Sequence, residues 1–509
     1  MANQGLRQCM HDISPYFILL LVVSTASSLQ FGFHLAELNA PQDVITCQKK
    51  SISSLSVLRT LFARESPAQD AKGFLPDCIP MNEVAFATVS SAFMVGGLIG
   101  ALGGGPLSSR RGRHPAMQAT AVSYVCGAAI ETISGSVPLL VFGRFISGVG
   151  AGASTVIVPL YVSEISPPKE RGLFGAMTQV SINVGILLSQ TLGYFLSYGN
   201  AWRWILAIGL FIAVAQGAGL FVVPESPAWL AAHGGSAKAR VTLQRIRGKN
   251  FDITEETQSW DRDTDEDLDA SEEQRLLDPS ETTAASSKHA EHLGFFQVIK
   301  DPKYRPAIIA VVGIMFAQQF CGINSIIMYS VSLLANLLPV SSALLTILIS
   351  IVNLVTTVAC SPLPDRLGRK TCLLISIIGQ GSSALALAFS IVFEVKILSA
   401  ITVLFFVGFF AVGLGPVPFI LASELVGQEA VGATQSWCLA ANYVATFLVA
   451  QFFPIVNKAL NSALGGNGWV YFVFAALAGL SALFVAWKVP ETKGRKNTDE
   501  VWGRNRRDE

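Results

Sequence analysis

A helix needs roughly twenty consecutive apolar residues to cross a bilayer, and this 509-residue chain offers about twelve such stretches. They lie near 16–38, 84–105, 116–135, 138–161, 173–197 and 202–223, and again near 306–334, 341–362, 371–393, 397–420, 434–457 and 469–488. Hydrophobic residues make up 51% of the chain and charged residues only 14%, against about a quarter charged in soluble domains. That composition predicts an all-α membrane protein. Small residues recur inside the stretches, as VGGLIGALGGG at 95–105 and GVGAGAS at 148–154, and permit close helix packing in lipid. The first stretch has no small-residue cleavage site after a short apolar core, so it reads as a retained span.

Polar sequence divides the chain. Residues 1–15 read as a cytoplasmic N-terminus, 16–223 as a first six-helix bundle and 304–488 as a second, with 489–509 as a cytoplasmic tail. Between the bundles, 224–303 reads as a cytoplasmic linker with short helices. Its acidic run, DRDTDEDLDASEE at 261–273, has the composition of disordered sequence. Orientation follows Lys and Arg in short loops. Arg110, Arg111, Arg113, Lys169, Arg171, Arg366, Arg369, Lys370, Lys493, Arg495 and Lys496 all follow even-numbered stretches. The first loop departs from this pattern with Lys49, Lys50, Arg59, Arg64 and Lys72. Both termini and the linker are therefore expected in the cytoplasm.

Several function classes lack support. A net charge of +1 gives no sign of a nucleic-acid partner. There is no GxxxxGK[ST], HExxH or GxSxG, so neither an enzyme nor an ATP-driven pump is expected. Eight cysteines are scattered without CxxC or a Cys/His cluster, and no metal or other cofactor is expected. Cys47 and Cys78 share the first non-cytoplasmic loop, where a disulfide and two free thiols both fit the sequence. No N-x-[ST] sequon occurs.

An internal repeat supplies the architecture. GPLSSRRGRHP at 105–115 and SPLPDRLGRKT at 361–371 share PLxxRxGR at the same place in each half. A duplicated six-helix unit suits a transporter built from two halves around a site at mid-depth. Arg110, Arg113, Arg171, Arg366 and Arg369, with Glu164, Asp365 and Glu424, are candidates for a cytoplasmic gate. Their pairing with helix C-termini and with one another would latch the inward-closed state.

At this point the chain resembles the sugar porter branch of the major facilitator superfamily. The resemblance rests on GRFISGVGAGASTVIVPLYVSEISPPKERG (143–172), PESPAWL (224–230), QQFCGIN (318–324), DRLGRK (365–370), GLGPVP (413–418) and PETKG (490–494). It implies a twelve-helix major facilitator fold of two six-helix bundles, which carries a sugar or related small metabolite by rocker-switch alternating access. It also implies Gln179, Gln318, Gln319, Asn324, Asn353 and Asn442 as substrate-binding amides. Amides both donate and accept, which suits a neutral polyol. The chain departs from glucose facilitators at Ala411, Phe419, Tyr443, Met328–Tyr329 and Ser109, which puts D-glucose itself in question. A non-transporting nutrient sensor of the same fold is the alternative. Sensor members carry long tails, whereas about twenty residues follow Pro490 here.

Proton-coupled members carry an Asp in the first helix, paired with the Arg that opens the fourth span. Aligning GFHLAEL (32–38) puts His34 at the Asp position, with Glu37 an addition and Arg144 the Arg. Ionisable groups at membrane depth are costly and usually mark function, and His34 and Glu37, three apart, share one helix face. Proton coupling through them and a structural pair with Arg144 are both open readings. SEEQRLLDP at 271–279 fits an acidic dileucine signal through Glu272, Leu276 and Leu277, with a sorting adaptor as partner. The first-helix pattern resembles a fungal sugar-porter subgroup linked to the vacuole. A vacuolar or lysosomal membrane is favoured over the plasma membrane, and the protein is expected to be a monomer in the lipid bilayer.

Overall fold

The computed structural model describes residues 14–48, 75–167, 170–248, 251–254, 256–257, 297–334, 342–495 and 498–503. The sorting signal Glu272, Leu276 and Leu277 and the acidic run at 261–273 lie outside them. Among the described residues, six long helices form the first half: α1 (Pro15–Ala36), α2 (Glu83–Arg111), α3 (Arg113–Thr132), α4 (Val137–Ile165), α5 (Arg171–Leu196) and α6 (Trp202–Leu220), with a one-turn helix at Gln42–Ile45 after α1. Local sequence starts several of them. Ser14 Oγ accepts from the Phe17 amide at 3.1 Å ahead of Pro15, and Asn82 Oδ1 accepts from the Ala85 amide at 2.8 Å, which satisfies orphan helix-start donors. Gly112 and Gly368, with φ of 97° and 102°, turn the chain sharply within the repeated PLxxRxGR, a conformation glycine alone adopts readily.

The second half contains α7 (Arg305–Phe320), α8 (Ile323–Leu334), α9 (Ser342–Cys360), α10 (Arg369–Val392), α11 (Lys396–Val412), α12 (Val417–Glu424), α13 (Gln428–Leu464) and α14 (Val470–Lys488). Two stretches that read as uninterrupted spans are broken. At 306–334, Gly322 (φ 96°) separates α7 from α8 with a bend of 43°. At 397–420, the Gly413–Pro416 stretch separates α11 from α12. Conversely, α13 runs well past the expected 434–457. Apolar content marks membrane depth, not helix ends.

Among the described residues, eight helices are long and apolar enough to cross a membrane, with α11 and α12 taken together, and a ninth span is the bent pair α7–α8. The shorter α9 and the more polar α3 and α5 complete the twelve. In the first half α1 packs on α5, and α4 on α2 and α3; in the second α10 packs on α11 and α14, and α7 on α13. The bundles meet where α2 faces α13 and α5 faces α9. Gly96 and Gly100 face the carbonyls of Phe145 and Val149 on α4, while Gly148 and Gly152 face those of Phe93 and Gly97 on α2. A side chain at any of these four positions would collide with backbone, so the small-residue runs do set the helix approach.

Outside the membrane, Cys47 and Cys78 form a disulfide with Cα atoms 5.4 Å apart. On the opposite side, short helices at Pro227–Ala232 and Ser236–Arg247 begin the linker. Arg247 donates to the Ile165 carbonyl at 2.6 Å and to Glu256, and Ser14 Oγ donates to the Ile246 carbonyl at 2.5 Å. The linker is thereby fastened to the ends of α1 and α4.

Candidate transport site

The buried charges lie within the first bundle. His34 and Glu37 come from the end of α1, Arg144 from α4 and Glu131 from α3, and each is at most 1% exposed. Arg144 Nη1 lies 2.6 Å from Glu37 Oε1 and donates to the His34 carbonyl at 2.8 Å. His34 Nδ1 is 2.9 Å from the same Glu37 oxygen. Glu37, not His34, therefore stands at the guanidinium, which corrects the alignment of His34 to the carboxylate position: the carboxylate reaches Arg144 from one turn further along α1. The Arg144 guanidinium also lies 4.5 Å above the Phe93 ring, and the His34 ring stacks on Tyr124 at 5.4 Å.

Glu131 went unnoticed in the sequence. Its Oε2 is 3.9 Å from Arg144 Nη1, and its Oε1 accepts from Ser147 Oγ at 2.7 Å. The only signal was a lone acid in an apolar run, AAIETISG (128–135). His34, Glu37 and Glu131 bring ligand atoms within 4.8 Å of one another. Arg144 already fills the cation's place against Glu37, so the set does not fit a metal.

The six candidate substrate amides fall into two hydrogen-bonded strings, one across the bundles and one within the second bundle. In the first, Gln179 Nε2 donates to Asn183 Oδ1 at 3.4 Å, Asn183 Nδ2 to Thr357 Oγ1 at 2.9 Å, and Thr357 Oγ1 to Asn353 Oδ1 at 3.4 Å. This string crosses from α5 to α9 and includes Asn183 and Thr357, which sequence reasoning did not single out. In the second, Asn442 Nδ2 and Gln319 Nε2 donate to Gln318 Oε1 at 2.6 and 3.0 Å, and Asn324 Nδ2 donates to Gln319 Oε1 at 2.5 Å. Gln318 Nε2 donates to the Leu414 carbonyl at 2.5 Å, in the break between α11 and α12. The break at Gly322 lies between the glutamines and Asn324, and the bend keeps all three in one string.

Aromatic rings lie beside the amides. Tyr443, next to Asn442, meets Phe31 edge-on at 6.5 Å across the bundles, and Phe31 stacks on Phe93 at 6.1 Å. Tyr329 stacks on Phe453 at 5.7 Å and donates to the Ala450 carbonyl at 2.7 Å. Tyr443 thus offers a ring at the segment-eleven position where glucose facilitators carry Trp. Phe419 is half-buried and Ala411 buried.

The two ends of the molecule differ. At the end that carries the Cys47–Cys78 disulfide, which the loop charges lead one to expect away from the cytoplasm, contacts cross between the bundles: Asn39 Nδ2 to the Ile327 carbonyl at 2.8 Å, Ser91 Oγ to Gln451 Oε1 at 2.7 Å, and Lys458 to Glu83 at 3.3 Å. At the opposite end, which carries the repeated PLxxRxGR, the gate candidates pair inside one bundle. Arg113 binds Glu164 at 2.7 Å, and Arg369 binds Glu424 at 2.8 Å and Asp365 at 2.9 Å. Arg110, Arg171 and Arg366 are exposed. Glu225 of PESPAWL accepts from the Arg113 amide and Glu491 of PETKG from the Arg369 amide, each at 2.8 Å. The sequence repeat is therefore a repeat in three dimensions, and in this state its ion pairs knit each bundle internally.

Two six-helix bundles that meet through α2–α13 and α5–α9, with candidate amides carried on α5, α9 and α13, define an alternating-access carrier of the twelve-helix major facilitator fold. Comparison narrows the class. The profile of the family described as "Sugar (and other) transporter" matches residues 19–502. The chain is 34% identical to "Probable metabolite transport protein YBR241C" of Saccharomyces cerevisiae, across 99% of this chain and 98% of that protein. It is 31% identical to "Vacuolar protein sorting-associated protein 73" of the same yeast, across 96% of each. Its fold matches the xylose transporter XylE from E. coli in a partially occluded inward-open conformation, with a TM-score of 0.72 and 23% identity, across 95% of this chain and 100% of that one. The chain belongs to the sugar transporter family.

Proposed function

We propose that the chain carries a sugar or a related small polar metabolite across its membrane, coupled to proton movement through the buried group of Glu37 and His34 with Arg144. The observation that carries this reading is the pair of amide strings, one crossing from α5 to α9 and one within the second bundle. Gln179, Gln318, Gln319, Asn324, Asn353 and Asn442 offer donors and acceptors at mid-depth and no carboxylate. A neutral polyol can exchange its water hydrogen bonds for theirs at little net cost. Where Arg144 stays on Glu37, the carboxylate is stabilised; where the pair opens, proton affinity changes. A site whose proton affinity differs between states can draw on a proton gradient.

A vacuolar membrane is the proposed residence. The dileucine pattern at 271–279 and the vacuolar-sorting relative support it, and an acidic lumen would supply the gradient. The reading is tested with purified protein in liposomes, following radiolabelled D-glucose, D-galactose and D-fructose with and without an imposed pH gradient. Accumulation above equilibrium is expected only with the gradient, and Glu37→Gln is expected to abolish it. Gradient-driven accumulation by that variant would remove Glu37 from the coupling.

A further inference from the structure

Glu131 has no part in the route described so far, and its surroundings pose a charge problem. Glu37 and Glu131 are two fully buried carboxyl groups, and among the described residues Arg144 is the single guanidinium facing both. A buried charge without a counterion is costly, and such sites neutralise by taking up a proton. One proton closes the balance, on His34 or on a carboxyl. His34 Nε2 is buried without a partner. An imidazolium there would strand a charged N–H, whereas a neutral ring with its hydrogen on Nδ1 leaves only a lone pair unused. Glu37 Oε1 then accepts from both His34 Nδ1 and Arg144 Nη1, the setting of an ionised carboxylate.

Glu131 lies further from the guanidinium and accepts only a neutral hydroxyl, that of Ser147. Two carboxyl oxygens remain buried without partners, Glu37 Oε2 and Glu131 Oε2. A hydrogen on the second, directed at the first, would serve both. We propose that Glu131 is a proton-holding residue of this carrier: with the non-cytoplasmic end joined, its carboxyl is the neutral half of an acid–carboxylate pair with Glu37, and Arg144 is their common cation.

The groups that face Glu131 are few. From α1 they are His34 and Glu37, and from α4 Arg144 and the Ser147 hydroxyl. Arg203 of α6 is tied to the carbonyls of Thr132, Ser134 and Pro76, and the charged residues of α2, Glu83, Arg110 and Arg111, stand at its ends. Loss of the proton would leave two carboxylates on one guanidinium and draw α3 toward Arg144. Protonation would thus be linked to how α1, α3 and α4 sit together. The place of this proton in transport rests on the proton-coupled reading above; its presence on the carboxyl pair does not.

Infrared difference spectroscopy on the purified full-length protein near neutral pH tests the assignment. The wild type is expected to show the carbonyl stretch of a buried carboxylic acid, shifted in D2O. Glu131→Gln and Glu37→Gln should each abolish it, because one carboxylate then remains for one guanidinium, and Glu131→Asp should retain it. Absence of the band from the wild type would put the proton on His34 and overturn the proposal; so would a band that persists in Glu131→Gln. In liposomes, Glu131→Gln is expected to lose pH-driven accumulation of the three labelled hexoses. A wild type that shows the band but no such accumulation would sink the coupled reading alone.

Discussion

Arg144 is the residue on which the buried charges depend. It touches Glu37 at 2.6 Å and lies near Glu131, with no water-exposed surface to spread its charge. Removal of one partner from a buried pair costs about 3–5 kcal/mol, whereas removal of both costs far less. Arg144→Met is therefore expected to lower the melting temperature sharply, and Glu37→Gln added to it should restore part of the loss; thermal unfolding of the two variants in detergent measures this. Gln318 plays the corresponding part among the amides. Gln318→Ala would leave the Leu414 carbonyl and the Asn442 amide unsatisfied, at about 1–3 kcal/mol. Affinity for whichever hexose stabilises the wild type should fall by about tenfold or more, as read from the concentration dependence of its thermal shift. His34, Glu37 and Arg144 were legible because charge stands out against apolar sequence. Glu131 was not: four residues before the end of an expected span, it reads as an acid reaching water, and only the packing of α3 on α4 shows it buried against Ser147.

At the scale of helices, apolar length marks eight spans and the bent pair α7–α8, since lipid leaves a long apolar segment few alternatives, while the shorter α9 and the more polar α3 and α5 follow from the repeat of a six-helix unit. The interruptions follow from neither. The stretch through Gly322 is interrupted by Gln318, Gln319 and Asn324, and Pro416 follows Gly413, yet both stretches remain apolar enough overall to read as single spans, so average hydropathy does not place the bends that bring the three amides into one string. The glycine runs were legible as packing surfaces, and their partners can now be named. Gly152→Val would drive a branched side chain into the Gly97 carbonyl across the α2–α4 contact. Overpacking of this kind costs about 1–3 kcal/mol, and the variant is expected to melt lower in detergent with its oligomeric state unchanged. The disulfide acts on a loop and not on a span. Cys47 and Cys78 are 31 residues apart, and closing a loop of that size is worth about 3–4 kcal/mol in the chain-entropy account. Cys47→Ser should destabilise the protein by about that amount, and a reductant should then shift the wild type's melting temperature but not the variant's.

For the molecule as a whole, transport requires the two bundles to part at the end where they are now joined. The repeat was legible in PLxxRxGR, but which end is closed belongs to the state and not to the sequence. Asn39, Ser91 and Gln190 reach across to Ile327 and Gln451 through neutral hydrogen bonds, each worth about 1 kcal/mol net. The exposed Glu83–Lys458 pair adds less than about 1 kcal/mol. Apolar contacts that cross at the same end, such as Phe86 on Tyr329 at 6.4 Å, add to the closure, and the differential binding of substrate and proton is what must offset the sum. If these contacts are the closure, a covalent bond in their place must stop the cycle. Ser91→Cys with Gln451→Cys puts two thiols in place of a 2.7 Å hydrogen bond between α2 and α13, to be trapped by oxidation when the helices approach within disulfide reach. Oxidation of the double variant in liposomes is expected to abolish hexose uptake, and dithiothreitol to restore it, while the single variants transport throughout. Uptake at the wild-type rate by fully cross-linked protein would mean that the bundles need not separate between α2 and α13, and the rocking motion inferred from the repeat would have to be replaced by one confined to the broken helices α7–α8 and α11–α12.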